Sequence, residues 1–173
     1  FQIYCDFSGY SDIAIGAALV LGFRLMENFR RPYLARSVPE FWNSRWHLSL
    51  MRWFRDYLYI PLGGNRVPAW RRYLNVMIVF GTSGLWHGAA WTFLLWGALN
   101  GLYQVIHMAL AAPRRWLGET LPAALMAGLS ILLTFHLVGF AWIFFRAADI
   151  DQGWSVVTRI AAAIPQLPTQ ILR

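Results

Sequence analysis

The 173-residue chain is 58% hydrophobic and only 13% charged, and it contains ten tryptophans and twelve phenylalanines. A soluble domain normally carries roughly 25% charged residues, so this composition excludes an ordinary soluble domain and predicts an all-α, multi-pass transmembrane helical bundle. The formal net charge is +7, every basic residue is arginine, and the single cysteine, Cys5, excludes a disulfide framework and a cysteine-rich metal site.

Residues 1–23 form an apolar run in which Asp6 and Asp12 are the charged side chains. About 20 apolar residues are enough to cross a bilayer, so this run is predicted to be the end of a membrane helix. The two carboxylates are expected to cap a helix or to pair with arginines of the next segment. Because the chain opens on Phe1 inside this run, we expect it to be the C-terminal part of a larger membrane domain.

Residues 24–72 form a basic block with ten arginines and three acids, and this block carries the whole net charge of +7. An excess of arginine in connections between membrane spans marks the cytoplasmic side. The basic block is therefore predicted to be a cytoplasmic or re-entrant segment, in contact with the lipid bilayer.

Within the basic block, Ser37-Val-Pro-Glu40 fits a capping box and predicts a helix over residues 38–58. An aromatic stripe with basic flanks is typical of an interfacial or re-entrant helix. The helical period places four residues on such a stripe: Trp42, Trp46, Ser49 and Trp53.

Residues 60–66, IPLGGNR, are predicted to form a turn because Gly-Gly-Asn tolerates positive φ angles. The turn is not a Walker loop, since it lacks the Lys-Ser/Thr pair that such a loop requires. Arg66, Arg71 and Arg72 flank it, and arginine binds phosphate with two parallel hydrogen bonds. A phosphate-binding role and a plain positive-inside segment are the two alternatives.

Residues 73–145 are predicted to be membrane helices. The first 41 of them, Tyr73 to Pro113, carry no formal charge, which suffices for two crossings with a tight reversal. A single long, tilted or broken helix is the alternative. With two crossings, Arg114 and Arg115 return to the cytoplasmic side.

Residues 120–145 form the last candidate span, with His136 as its titratable residue. Residues 146–173 mix acids, arginine and proline. They are predicted to be an interfacial tail, with a surface helix followed by a loop.

His87 lies in the middle of the uncharged run, between Gly84 and Gly88, which would leave room for a substrate or another helix. Burial keeps an imidazole neutral, and a neutral imidazole beside a hydroxyl is a general base. Ionisable groups inside a membrane are candidate functional sites. A histidine that only packs between helices is the alternative.

The other histidines suggest several roles. His136 follows His87 by 49 residues, so two imidazoles on separate helices could face one cavity; a helix–helix hydrogen bond is the alternative. His47 is interpreted as a substrate orienter or a structural residue, and His107 as an interfacial one. The histidines are 40, 20 and 29 residues apart, so no metal site is expected.

Two other functions remain open on the residues alone. Gly81-Thr-Ser-Gly84 is similar to the motif of rhomboid-type intramembrane serine proteases, with Ser83 and His136 as the dyad. So short a match is frequent by chance, and it leaves the aromatic residues of the basic block unexplained. A non-enzymatic membrane transport or scaffold subunit is the other alternative.

Five stretches, in order, resemble the membrane-bound O-acyltransferase family, in its bacterial alginate O-acetyltransferase-like branch: CDFSGYSDIAIG, ENFRRPYLARSVPEFW, RWHLSL, WFRDYLYIPLGGNR and FGTSGLWHGAAWTFLLWGALNG. The resemblance covers about residues 1–146. It implies a multi-pass acyltransferase of the bacterial inner membrane. Such an enzyme moves an acetyl group from a cytoplasmic thioester, such as acetyl-CoA, toward an extracytoplasmic polysaccharide or a periplasmic acetyltransferase partner. No bound cofactor and no nucleic acid is expected.

The resemblance also implies roles for individual residues. The histidine of the family's Trp-His-Gly motif falls on His87, and the second membrane histidine falls on His136; both are expected to be catalytic. Together with the basic block, the family's Arg-Trp-His motif gives the expected substrate- and donor-binding residues: Arg45, Trp46, His47, Arg66, Arg71 and Arg72.

The chain departs from the family pattern at one place. FWNSRWH has one more residue between its tryptophans than the family's Phe-Trp-x-Arg-Trp-His. An extra residue turns a helix by about 100°. We therefore expect Trp42 or Asn43 to face a different direction from the family residue.

Overall fold

The computed structural model describes residues 1–166, which are helical apart from turns, bends, extended connections and one isolated β-bridge. The predicted all-α class is confirmed. In chain order the α-helices are α1 (Gln2–Val20), α2 (Val38–Glu40), α3 (Leu48–Phe54), α4 (Ala69–His87), α5 (Trp91–Ala109), α6 (Ala111–Thr120), α7 (Ala123–Arg146) and α8 (Ile150–Ala163).

The uncharged run, Tyr73 to Pro113, lies mostly in the antiparallel helices α4 and α5, and the chain reverses its direction between them at residues 88–90. A Cβ on Gly84 would meet the main chain of Phe93, and one on Gly97 would meet that of Phe80. The two backbones therefore pack directly against each other. At Gly88 a Cβ would lie 2.6 Å from the Phe93 ring, so the glycines beside His87 make room for a helix rather than for a substrate.

One helix of the described chain, α7, is long and apolar enough to cross a membrane. The pair α5 and α6, bent by 64° at their junction, passes the same test together and could supply a second crossing. The number of spans predicted from the sequence therefore stays a prediction.

The single helix predicted over residues 38–58 was wrong, because the chain breaks in the middle of it. The residues after α2, Phe41–Arg45, form a π-helical turn, in which the Trp46 amide donates to the Phe41 carbonyl at 2.9 Å. Trp46 is then extended, and His47 is left-handed with φ 46°. A second π-helical turn, Arg55–Tyr59, follows α3.

The predicted cap is present, but the predicted tryptophan stripe is split. Ser37 Oγ accepts a hydrogen bond from the Glu40 amide at 3.1 Å. Trp42 and Trp46 are 4% and 2% exposed, whereas Trp53 is 47% exposed. The break at His47 therefore separates the buried tryptophans from the one on the surface.

The segment of residues 28–30 lies beside the break and forms hydrogen bonds with the backbone groups that the break leaves free of helical bonds. Phe29 forms the isolated bridge with Trp46, and the Arg30 amide donates to the Arg45 carbonyl at 2.9 Å. On the far side of the break, the Leu48 amide donates to the Asn28 carbonyl at 3.2 Å. These long-range bonds replace the helical bonds that a continuous helix would make.

The buried core lies where the basic block meets α4, α5 and α7. Trp42 is central to it, since its ring packs edge-on against Phe80 at 5.8 Å and against Trp96 at 5.5 Å between centroids. The aromatic part of the block thus belongs to the helical core. The buried apolar residues of the cluster are Phe29, Ala35, Val38, Phe41, Trp42, Trp46, Phe80, Trp96, Val138 and Ala141.

The predicted helix of the tail is present as α8, which packs against α7. Asp149 caps it, because its carboxylate accepts a hydrogen bond from the Gln152 amide at 2.7 Å. A Cβ on Gly153 would lie 2.8 Å from the Phe144 ring, so glycine permits the close contact with α7. The loop predicted after this helix lies largely in residues 167–173, outside the described residues.

Candidate functional site

His47 and His87 line the same small cavity, which has a volume of about 40 Å³. His87 is the last residue of α4, and its ring packs edge-on against Trp96 at 5.2 Å and Phe145 at 5.0 Å. His47 reaches the cavity from the break before α3, with its ring edge-on to Phe7 at 4.6 Å. The remaining wall is formed by Ile3, Trp42, Trp46, Leu50, Met51, Ser83 and Trp142.

The cavity lined by His47 and His87, called the histidine cavity below, contains an uncharged imidazole and a buried indole N–H. Burial, followed by the positive charge that His87 would carry, lowers the pKa of His47 to about 4, so His47 is neutral at pH 7. The indole Nε1 of Trp142 is buried and has no hydrogen-bond partner within residues 1–166. The cavity can therefore accept a proton on imidazole, and its wall holds a donor suited to a carbonyl oxygen.

A larger cavity of about 390 Å³ lies on the other side of Met51, which lines both spaces. Its polar wall includes Asn43, Tyr59, Gln104 and His107. Its size suits an extended organic group rather than a single ion.

The larger cavity continues into a wide basic opening of about 530 Å³, lined by Arg72, Arg114 and Arg115. The two spaces share a further set of lining residues, Asn65, His107 and Met108. Arg72 Nε is buried without a hydrogen-bond partner in the described part of the chain. The opening therefore holds three guanidinium groups that suit phosphate oxygens.

One face of α4 follows the whole path. Arg72 lines the basic opening, Val76 and Phe80 line the larger cavity, and Ser83 and His87 line the histidine cavity. At 1.5 Å of rise per residue, Arg72 and His87 lie ~22 Å apart along the helix axis. A ligand with its phosphates at the opening needs an arm of this length to reach the imidazole.

Arg45, predicted to bind substrate, is occupied by local contacts. Its guanidinium pairs with Glu40 at 2.7 Å and donates to the carbonyls of Arg30 and Arg31 at 3.2 Å each. Burial raises the pKa of Glu40, but hydrogen bonds from the Arg36 amide and the Arg45 guanidinium outweigh it and lower that pKa overall. Arg45 thus fixes the break that positions His47, and a contact with substrate stays a prediction.

The remaining predicted donor-binding residues are divided by the structure. Trp46 forms part of the wall of the histidine cavity and stacks on Phe41 at 5.4 Å. Arg72 lines the basic opening, whereas Arg66 and Arg71 do not. The other two arginines that line the opening are Arg114 and Arg115 on α6. In the sequence alone, these two residues are only markers of the cytoplasmic side.

His136 lies on the exposed face of α7, with its Nδ1 2.7 Å from the Leu132 carbonyl oxygen. It is not among the residues that line the histidine cavity, so the second imidazole facing His87 is His47. Ser83, in contrast, lines that cavity. The structure therefore does not bring Ser83 and His136 together as a protease dyad, and a catalytic role for His136 stays a prediction.

Sequence reasoning missed the polar residues that organise α4 and α5. Asn100 and Asn75 are fully buried, and Gln104 lines the larger cavity. Their signal was available, since uncharged polar residues in a long apolar run require partners. Over residues 1–166 no group of three or more metal-ligating side chains is placed to hold a metal ion.

A protein-family model and several known acyltransferases match most of this chain. The model of the MBOAT, or membrane-bound O-acyltransferase, family matches residues 1–119. The chain is 47% identical over 156 residues to a probable alginate O-acetylase AlgI of Azotobacter vinelandii, covering 88% of this chain and 29% of that protein. It is 44% identical over 157 residues to a peptidoglycan O-acetyltransferase of Helicobacter pylori, covering 91% and 29%.

A more distant match is a teichoic acid D-alanyltransferase of Bacillus subtilis, 28% identical over 155 residues, covering 83% of this chain and 38% of that protein. The matched region is therefore between 29% and 38% of the length of these three relatives.

Proposed function

Because the chain belongs to the membrane-bound O-acyltransferase family, we propose that it carries the acyl-transfer site of a multi-pass enzyme of the bacterial inner membrane. The enzyme transfers an acetyl group from a cytoplasmic thioester, such as acetyl-CoA, toward hydroxyl groups of an extracytoplasmic polysaccharide. The names of relatives that act on alginate and peptidoglycan support a polysaccharide acceptor. The acetyl group reaches the polymer directly or through a periplasmic acetyltransferase partner.

The succession of cavities along α4, from the basic opening through the larger cavity to the histidine cavity beyond Met51, is the observation that carries this proposal. Arg72, Arg114 and Arg115 supply positive charge at one end, and the histidine cavity lies at the other. The ~22 Å between the ends along α4 matches a donor whose phosphates are separated from its thioester by a long arm. A small acyl phosphate would not need such a path.

The reaction follows from the groups in the histidine cavity. His87 takes the proton from the acceptor hydroxyl, and the oxygen attacks the thioester carbonyl carbon. The new C–O ester bond forms as the C–S bond breaks, and the imidazolium returns its proton to the leaving thiolate. His47, neutral beside His87, donates its ring N–H to the hydroxyl oxygen and so orients the acceptor. His136 lies outside this cavity, and a role for it in orienting the acceptor or stabilising charge rests on the family resemblance alone.

His87→Gln and His87→Ala in the full-length protein test the proposal. Loss of a general base typically costs 10²–10⁴-fold, so acetate on the polymer should fall by roughly 100-fold or more at equal protein levels in the membrane. Normal acetylation in both variants would contradict the assignment.

Ser83→Ala is the matched control, because Ser83 lines the same cavity one turn earlier on α4. The acyltransferase proposal expects a mild effect, whereas a serine protease would lose all activity. A transport or scaffold subunit would tolerate the changes at His87 as well.

A further inference from the structure

Met51 lines both the histidine cavity and the larger cavity, and so forms part of the wall between them. We propose that Met51 sets the size limit for the transferred acyl group and restricts the enzyme to two-carbon acyl donors. The inference rests on the proposed function, in which the thioester arm occupies the larger cavity and the acyl group enters the histidine cavity.

Two aromatic rings that line these cavities, Trp42 in the histidine cavity and Phe80 in the larger one, are held firmly. Trp42 donates its indole hydrogen to Asn100 Oδ1 at 3.0 Å, and both side chains are buried. Phe80 is 4% exposed and packs edge-on against Trp42 at 5.8 Å. Neither ring can move aside without breaking a buried hydrogen bond or opening a void in the core.

Met51 is the adaptable member of the wall. Its unbranched side chain has three rotatable bonds and fits irregular spaces. It lies one turn after His47, and its amide donates to the His47 carbonyl at 3.1 Å. The residue that divides the cavities is thus fixed to the same break that positions an imidazole at the site.

The histidine cavity is small, which favours a short acyl group. A water fills roughly 10–15 Å³ of such a space, so about 40 Å³ holds about three non-hydrogen atoms. The cavity must admit the acyl group and the acceptor oxygen together, so acyl groups longer than acetyl, which has a single methyl carbon beyond its carbonyl, are disfavoured. Each further methylene would meet Met51 or the surrounding aromatic rings.

The test compares kcat/KM for acetyl-CoA and butyryl-CoA in the full-length enzyme with its acceptor polymer. One methylene in a tight pocket is worth 10–200-fold, so the wild type should prefer acetyl by roughly 100-fold or more. Met51→Ala joins the two cavities and should reduce this preference by roughly 10-fold or more. The transferred group on the product, identified by mass, should include butyrate.

Met108→Ala is the matched control, because Met108 lines the larger cavity but not the histidine cavity. It should keep the wild-type ratio, as should Met51→Leu, which preserves the side-chain volume. If Met51→Ala does not accumulate in membranes, Met51→Val gives the same comparison with propionyl-CoA.

The outcomes separate the two claims. A wild-type protein that transfers no acyl group from either thioester would overturn the proposed function and the inference together. Acetyl transfer by the wild type, with an unchanged acetyl-to-butyryl ratio in Met51→Ala, would overturn the inference alone. A change of the same size in Met108→Ala would also overturn it, because the limit would then lie in the larger cavity.

Discussion

Asn100 is a fully buried amide in the middle of α5, and both ends of its side chain are satisfied. Its Oδ1 accepts the Trp42 indole hydrogen at 3.0 Å, and its Nδ2 donates to the Trp96 carbonyl at 2.9 Å. A buried polar group left without a partner costs about 1–3 kcal/mol, roughly twice what a formed hydrogen bond contributes. This one side chain therefore specifies how the basic block docks on α5.

Asn100→Leu should destabilise the protein by about 1–3 kcal/mol, because it leaves the buried Trp42 indole without an acceptor. Chemical unfolding of the purified full-length protein measures the loss. The double variant with Trp42→Phe should lose less stability than the sum of the two single losses, since no donor then remains unpaired. If the double variant loses as much stability as the Asn100→Leu and Trp42→Phe variants together, the hydrogen bond between these side chains is not important for stability.

The extra residue in FWNSRWH is accommodated by a π-helical turn. Phe41–Arg45 closes with a hydrogen bond from the Trp46 amide to the Phe41 carbonyl, five residues back. A π turn holds one more residue than an α turn. Trp42 and Trp46 consequently both remain buried, although the sequence predicted that the insertion would rotate one side of the motif.

Deletion of Ser44 should therefore be tolerated, because the π turn can close as an α turn without moving either tryptophan. Ser44 is exposed, so no packing is lost. Levels of folded full-length protein in membranes should stay within about twofold of wild type, an order-of-magnitude expectation for an exposed site.

Deletion of Gly128 is the matched control, because it shifts the helical register in α7, a helix without a π-helical turn to absorb the change. A Cβ at Gly128 would meet nothing within 4 Å, so its deletion removes no contact but rotates the rest of α7 by about 100°. This variant should fail to accumulate. Equal loss in both deletions would contradict the accommodation of the extra residue by the π turn.

The elements differ in how far the sequence determines them. The uncharged run predicted α4 and α5, because regular helices follow from composition and local propensity. The left-handed conformation of His47 could not be read in the same way, since it depends on hydrogen bonds to residues 28–31 that are distant in sequence. The same limit applies to the site. His47 and His136 are both histidines beside aromatic residues, and only the tertiary fold places His47 in the cavity of His87.

Across the whole molecule, positive charge and imidazole lie at opposite ends of α4. The net charge of +7 is concentrated in the basic block of the sequence, yet the opening that leads to His87 takes only Arg72 from it. The other two arginines come from α6, which lies far along the chain. A charge count along the sequence could locate the cytoplasmic side, but only the fold shows which arginines converge.

The convergence predicts a specific kinetic defect. Replacing Arg114 and Arg115 together by Gln should raise KM for acetyl-CoA by roughly 10-fold or more, because each charge-assisted hydrogen bond is worth about 1.5–3 kcal/mol. The value of kcat should change little, since the opening lies far from the reacting carbonyl. The defect should shrink at high ionic strength, where the wild type also loses the benefit of these charges.

Arg159→Gln is the matched control, because it removes an exposed positive charge from α8 without touching the opening. It should leave KM and its salt dependence as in the wild type. A fall in kcat with unchanged KM in the Arg114/Arg115 variant would show that these arginines do not bind the donor. An equal rise in KM in Arg159→Gln would show that Arg114 and Arg115 act only through general electrostatic attraction of the donor. A selective rise in KM in the double variant is the result that a donor-binding opening requires.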